Sequence, residues 1–319
     1  MSIKEAYRVF CSESDSIPLF SQPCWLDLLA KDSGLDWDVV GVKESDEFRA
    51  FLPFCFSKRY KVFDQITMPK LTPYLSPVFC ETQRLQLPNE LSNNLNLCLG
   101  LIQELPNCDT LIHRFSPEIG LLDQLSKGRL SLDFFITYVI SNKSHEEVKK
   151  GFRSSLIRQI KKGEKTLLIL SGTPKELFDL SVKTFGRQGK ECPYSLGIIT
   201  AILEEVTSLN CGEILVTKDE AGNIHSGGLF VSDSQNYYYL IGAGDPEFRN
   251  SGAQSYLLNY TIAKAMKSGL SFDFEGSMVP SIAKFFSNFG GELKPYAGLF
   301  KKEKSSFRIA KKIDKLFHN

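Results

Sequence analysis

Asp273 and Glu275 stand two residues apart in Ser271-Phe272-Asp273-Phe274-Glu275, a segment that reads as a β-strand. Side chains alternate along a strand, so both carboxylates are expected on one face and Phe272 and Phe274 on the other. Paired carboxylates beside a loop can accept a proton from an attacking amine. The same residues also admit a structural reading, with one capping the Ser277 to Pro280 turn and the other pairing with a lysine. His225 is a weaker candidate base and reads as a solvated histidine after the Gly222-Asn223 turn.

The run Arg249-Asn250-Ser251-Gly252-Ala253 lies immediately before an expected helix, Ala253 to Ser268. The first turn of a helix has free backbone N–H donors and a partial positive charge. A glycine there lets the backbone approach a phosphate closely, and Arg249 can add a charge-assisted contact. An ordinary strand-to-helix turn is the plain alternative. Tyr237-Tyr238-Tyr239 precedes this loop on a strand. Alternation sends Tyr237 and Tyr239 to one face, and one phenol, Tyr239 foremost, can hold a substrate or protonate a leaving group. β-propensity and sheet packing are the plainer account of the three tyrosines.

The elements that must position these residues follow from periodicity and punctuation. The first half predicts a helix over Pro18 to Leu29, strands over Trp37 to Val42 and Phe48 to Phe56, and a loop at Met68 to Pro77 whose three prolines remove backbone donors. A helix over Leu91 to Leu105 and strands over Thr110 to Phe115 and Leu132 to Ile140 complete it. The second half opens with a basic amphipathic helix, His145 to Glu164, striped by Phe152, Leu156 and Ile160. A strand, two helices, three meandering strands, the loop Gly242 to Ser251, a helix, the carboxylate strand, a helix over Ile282 to Phe289 and a last strand follow. Both halves predict a mixed α/β sheet with helices on both faces.

This order of elements resembles the GNAT acyltransferase fold, and its repetition resembles the tandem FemAB-like branch of that superfamily. Phe152 to Lys162 is similar to the basic helix that opens the family's second domain. Gly242-Ala243-Gly244 through Phe248-Arg249-Asn250-Ser251-Gly252-Ala253, and then Phe272 to Gly276, resembles its central block. Phe285 to Gly291 resembles its Phe-x-x-x-Phe-Gly-Gly segment, and Trp25-Leu26-Asp27 with the Met68 to Pro77 loop resembles the first domain of bacterial members. The resemblance implies two tandem GNAT-like domains, 1–142 and 143–300, followed by a basic amphipathic helix over 301–319. It implies an N-acyltransferase that moves an acyl group from an acyl-CoA-type thioester to an amine, with acyl-CoA as co-substrate and no tightly bound cofactor. Arg249, Asn250, Ser251, Gly252 and Ala253 would hold the donor, and Asp273, Glu275 and Tyr239 would serve catalysis. An aminoacyl-tRNA donor with a cell-wall precursor as acceptor is the alternative pair. Gln254 stands where the family has glycine or alanine, and that departure favours a further reading, a non-catalytic binding module that retained the fold.

Composition narrows the field. The chain has 319 residues, 42% hydrophobic and 24% charged, which excludes a disordered chain or a disulfide scaffold. No apolar run approaches the ~18 residues of a membrane helix, and Lys4, Glu5, Arg8 and Glu13 interrupt any signal sequence, so a cytoplasmic protein is expected. Residues 1–142 carry 13 basic and 18 acidic side chains, and 143–319 carry 25 and 19, which directs an anionic ligand to the second half. The basic stretches at Lys143 to Lys165 and Lys301 to Lys315 can meet RNA or, through the tail, a membrane surface; solvated helix faces are the alternative. The eight cysteines show no C-x-x-C pair and the four histidines complete no zinc pattern, so no metal site and reduced thiols are expected.

Overall fold

The computed structural model describes residues 1–14, 16–80, 88–119, 130–276, 278–301 and 307. Its internal contacts divide the chain into one unit of Met1–Phe135 with Pro295–Asn319, and a second of Ile136–Lys294. The last strand, Glu292–Lys301, therefore begins in the second unit and ends in the first.

In the first unit, α1 (Ile3–Ser12) starts at a capping box in which Ser2 and Glu5 satisfy each other's backbone N–H. The helix expected from Pro18 instead begins at Pro23 and runs to Asp32 as α2. Leu19–Ser21 form a separate 3₁₀ turn, because proline suits a first helical position and the extended Gln22 precedes it. Strands β1 (Asp36–Glu44) and β2 (Glu47–Arg59) form a hairpin whose Ser45 and Asp46 both have positive φ. β3 (Phe63–Thr67) extends it, and the short β4 (Val78–Phe79) pairs with β2. After α3 (Pro88–Glu104), β5 (Thr110–Arg114) adds parallel to β3, and the end of β12 (Glu292–Lys301) pairs with β5. The proline-rich loop is neither helix nor strand. It is fixed by Trp25, whose indole N–H donates to the Thr72 hydroxyl at 3.1 Å, and by Tyr74, edge-on to Tyr296.

The second unit contains the residues singled out for chemistry. Its strands are the end of β6 (Leu130–Ile140), β7 (Leu168–Ser171), β8 (Gly212–Lys218), β9 (Ile224–Ser232), β10 (Asn236–Gly244) and β11 (Ser271–Asp273), in the order β6-β11-β10-β9-β8-β7. All neighbours are antiparallel except β10 and β11, which are joined through α8 (Ala253–Lys267) and run parallel. The expected helix from His145 to Glu164 is two helices, α4 (His145–Lys150) and α5 (Ser154–Thr166). The break has a packing cause. A Cβ at Gly290 would come within 2.9 Å of the Gly151 backbone, and the Arg153 N–H donates to the Asn288 carbonyl. An unbroken helix would lose both.

Phe152, Leu156 and Ile160 of these helices pack with Leu257, Leu258 and Ile262 of α8 on one sheet face, which presents Leu215, Phe230, Tyr237, Tyr239 and Phe272. Helices α6 (Pro174–Gly186) and α7 (Leu196–Ser208) cover the other face, where Leu180 abuts Gly227 and Val206 lies over Gly212. Each of these large apolar side chains, once sealed from water, contributes ~1.5–3 kcal/mol. Glycine at 163 lets α5 approach α8 closely, since a Cβ there would lie 2.7 Å from Tyr256 and 3.0 Å from the Gly252 carbonyl oxygen.

Of the expected C-terminal helix over 301–319, only Lys301 and Phe307 are among the described residues. Phe307 is buried and meets Phe63 edge-on at 5.2 Å.

Candidate functional site

The parallel pairing of β10 with β11 extends only from Asn236 to Tyr238, opposite Ser271 to Asp273. Beyond it β10 runs on to Gly244 while β11 stops, so the sheet splits. On its other side β10 slips register against β9 between Tyr239 and Ile241, leaving Leu240 as an extra residue. The slip puts Gly242 on the same face as Tyr239. The Tyr239 ring lies across that glycine so closely that a Cβ there would fall 1.7 Å from the phenol oxygen. Thr184 of α6 serves the end of the open strand, accepting from the Gly244 N–H and donating to its carbonyl, each at 3.0 Å.

Two cavities adjoin along this split and share Thr184, Arg187, Gly244, Gln254 and Phe285 in their walls. The first, of about 350 Å³, lies at the start of α8. Gly252 is the N-cap residue before the helix, with φ +83°, and it makes no side-chain cap hydrogen bond. Glycine is required twice over. The left-handed backbone disfavours any Cβ, and a Cβ would come 2.2 Å from the Gln159 carbonyl oxygen. Gly252, Ala253, Gln254 and Ser255 at this start of the helix line the cavity, and the positive end of a helix favours an anion there. Arg249 and Asn250 are exposed and line the cavity; Ser251 accepts from the Ala253 N–H at 3.3 Å, and Ala253 is the buried first helical residue. Lys162 of α5 fixes the loop by donating to the Asn250 carbonyl at 2.7 Å.

Two further polar groups line the same cavity. Burial favours protonation of Asp245, but Lys183 at 2.5 Å and the Glu247 N–H outweigh it and hold the carboxyl below its usual range. Its charge is thus already paired. His225 departs from the expected solvated histidine, being 8% exposed and stacked flat on Phe248 with centroids 3.9 Å apart. Its Nε2 lies 3.2 Å from an Asp219 carboxylate oxygen, which can only accept, so Nε2 carries the proton. Its Nδ1 is sealed and has no partner.

The second cavity, of about 400 Å³, occupies the split itself. Here the expectation for the two carboxylates is corrected. They do not share a strand face, because β11 ends at Asp273 and Glu275 adopts φ +56°, followed by Gly276 at +61°. Asp273 holds that turn. One of its oxygens accepts from the Glu275 N–H at 2.8 Å and from the Thr137 hydroxyl at 2.5 Å, and the residue is 2% exposed. A left-handed turn at a non-glycine residue costs ~1–2 kcal/mol and needs such support. Glu275 lines the cavity, and its Oε1 is sealed without a hydrogen-bond partner. Desolvation first, and then the nearby Asp273, push its carboxyl well above the usual range.

Tyr237 and Tyr239 share the face expected of them, each stacked on Phe230. Tyr237 donates to Glu213 at 2.6 Å and Tyr238, on the other face, to Asp233 at 3.0 Å, so both are structural. Tyr239 lines the second cavity and accepts a hydrogen bond from the Gln254 amide. Burial pushes its phenol upward, so it stays protonated at neutral pH.

Three further residues complete the site. Thr184 comes from α6 and Arg187 is the residue just after it, far away in sequence, and nothing in their local pattern marks them. Gln254, which departs from the family's glycine or alanine, is the residue that orients Tyr239. Among the described residues no cluster of three or more His, Cys, Asp or Glu side chains could hold a metal ion, and all eight cysteines are free thiols. No helix among them is long and apolar enough to cross a membrane.

A family model described as an acetyltransferase (GNAT) domain matches residues 151–278. A comparison with curated protein sequences gives no significant match. Among solved structures, FemX is similar over 93% of this chain and 96% of its own, with 15% identity and a TM-score of 0.69. The C-terminal domain of a putative lysylphosphatidylglycerol synthetase from Agrobacterium fabrum and L-PGS from Bacillus licheniformis each cover 96% of this chain and 94% of their own. Their identities are 11% and 12%, and both TM-scores are 0.54. The split strands and the helix behind them lie within the matched segment: residues 151–278 match the model of an acetyltransferase (GNAT) domain, in a chain whose fold is similar to that of FemX.

Proposed function

We propose that this chain transfers an acyl group from an acyl-CoA-type thioester to an amine within the split of its second unit. The observation that carries the reading is the adjacency of the two cavities. One has the glycine-led start of α8; the other contains a carboxyl oxygen with no partner. The donor's phosphates sit on the first turn of α8 with Arg249, and its thioester extends across the shared wall into the second cavity.

The acceptor arrives as an ammonium. Glu275 takes one proton from it, which a carboxylate of ordinary pKa does poorly and a desolvated one does better. The amine nitrogen then bonds to the thioester carbon and the C–S bond breaks as the tetrahedral intermediate collapses. The nitrogen's second proton passes to the departing sulfur or to water, so the products are an amide and a thiol. Tyr239 contributes a hydrogen bond rather than a proton. A phenol raised above ~10 is a weaker acid than a thiol near ~8.5, and so it stabilises charge on oxygen or sulfur without being ionised. Asp273 acts through the turn it holds.

Release of free thiol from acetyl-CoA and longer acyl-CoAs, tested against a panel of primary amines, is the direct assay. Arg249→Ala should weaken coenzyme A by ~10–100-fold, the worth of a charged hydrogen bond. Unchanged calorimetric affinity would remove the donor site from α8.

A second donor, an aminoacyl-tRNA, is favoured by the FemX fold and by α5. That helix exposes Arg158, Lys161, Lys162 and Lys165 beside the loop it fixes. Thiol release from acyl-CoA with no tRNA present separates the two readings, and a cell-wall precursor would be the acceptor to test with the tRNA.

A further inference from the structure

The second cavity contains one guanidinium and one carboxyl group, Arg187 and Glu275, between apolar walls that include Phe274, Ile282 and Phe285. Neither group is paired within the described residues. No carboxylate pairs with Arg187 among the described residues, and Glu275 Oε1 has no partner. An amine with no other charge would satisfy Glu275 and leave the guanidinium idle. An anionic acceptor would satisfy Arg187 and meet the carboxyl unfavourably. A zwitterion satisfies both.

We propose that the acceptor is a free α-amino acid, its ammonium on Glu275 and its carboxylate on Arg187. The proposal rests on the N-acyltransferase reading above and names its acceptor class. Arg187 is the residue that determines specificity. A guanidinium presents a planar fork of donors that matches a carboxylate in two parallel hydrogen bonds, which an ammonium on a flexible stem does not reproduce. Arg187 also borders the first cavity, so the competing assignment is to the donor's phosphates. The first cavity already has Arg249 and the start of α8 for an anion, whereas Arg187 is the sole cation lining the second among the described residues. The cavity's size, about 400 Å³, lies in the range of small-ligand sites and admits an amino acid with the acyl end of a donor.

The test is calorimetric and needs no turnover. The twenty common L-amino acids and their carboxamides are titrated into the donor-free protein. At least one amino acid should bind ~10–100-fold more tightly than its own amide, the worth of a charged hydrogen bond. Arg187→Gln should abolish that preference and leave coenzyme A affinity unchanged, and Arg187→Lys should restore only part of it. Arg187 is exposed at the end of α6, so neither variant threatens the fold. Equal affinity for every acid and its amide overturns the proposal. So does an Arg187→Gln variant that loses coenzyme A affinity while keeping the preference. The underlying reading fails separately. Thiol release with amines that lack a carboxylate, and no acid preference, would retain acyl transfer and reject this acceptor. Carboxylate-dependent binding with no thiol release from any acyl-CoA would do the reverse.

Discussion

Replacing Glu275 by glutamine should make the protein slower and more stable at once. The side chain keeps its shape and loses its charge. In the folded chain the carboxyl is desolvated and faces Asp273, so it holds its proton well above the usual carboxylate range. The unfolded chain releases that proton near ~4.5. Between these two values the folded state binds more protons than the unfolded state, and stability falls as pH rises. Each pH unit in that interval costs ~1.4 kcal/mol. This is an upper figure, because the residue as a whole is only half-buried even though Oε1 is sealed. Below about pH 4 both variants are uncharged at 275 and should unfold at the same denaturant concentration. At pH 7–8 Glu275→Gln should be the more stable. Its kcat should fall by ~10²–10⁴, the usual worth of a general base. The wild-type rate should rise with pH through the displaced carboxyl titration, and the variant should lack that limb. Equilibrium denaturation at a series of pH values, with kcat measured over the same series, tests both halves. A variant less stable at neutral pH would mean that Glu275 is ionised and paired in the native state, and the reasoning from desolvation would be wrong.

Gly252→Ala places a side chain at φ +83° and 2.2 Å from the Gln159 carbonyl oxygen, so α5 must move away from α8. The conformational strain alone is ~1–2 kcal/mol, and a lower Tm together with weaker coenzyme A binding is expected. Tyr239→Phe removes the hydrogen-bond donor but not the ring packing on Phe230. It should lower kcat by up to ~10²–10³ with donor affinity intact, measured by steady-state thiol release. His113 is fully buried; desolvation lowers its pKa to about 4 despite the hydrogen bond to the Leu75 carbonyl. The unfolded chain takes up this proton near ~6.5, so stability should be lost as pH falls from there through about 4, by ~3 kcal/mol in all. Denaturant titrations should show this loss and show it absent in His113→Gln.

Local rules placed most of the second unit correctly in outline, and they failed where two distant segments had to meet. The stripe of Phe152, Leu156 and Ile160 identified one buried helical face. It could not reveal that the helix breaks at Gly151, because the cause is the approach of Gly290, far along the chain. Alternation correctly set Tyr237 and Tyr239 against Phe230. The same rule misassigned Asp273 and Glu275, since it holds only while the backbone stays extended, and the chain turns left-handed at Glu275. That turn is itself a tertiary product, held by Thr137 and Asp273 and fitted so tightly that a Cβ at Gly276 would meet the Ile136 carbonyl oxygen at 2.2 Å. The error is instructive for function. Two carboxylates on one strand face would have been interchangeable bases. Turning the chain between them gives one a structural task and leaves the other desolvated at the split, and only a desolvated carboxyl is a competent base for an ammonium. Arg187 was invisible for the complementary reason. A lone arginine at a helix end carries no pattern, and its meaning comes from having no ion-pair partner among the described residues and from sharing a cavity with Glu275. The motif residues carry the donor half of the proposed reaction, and the acceptor half rests on two side chains that no motif names.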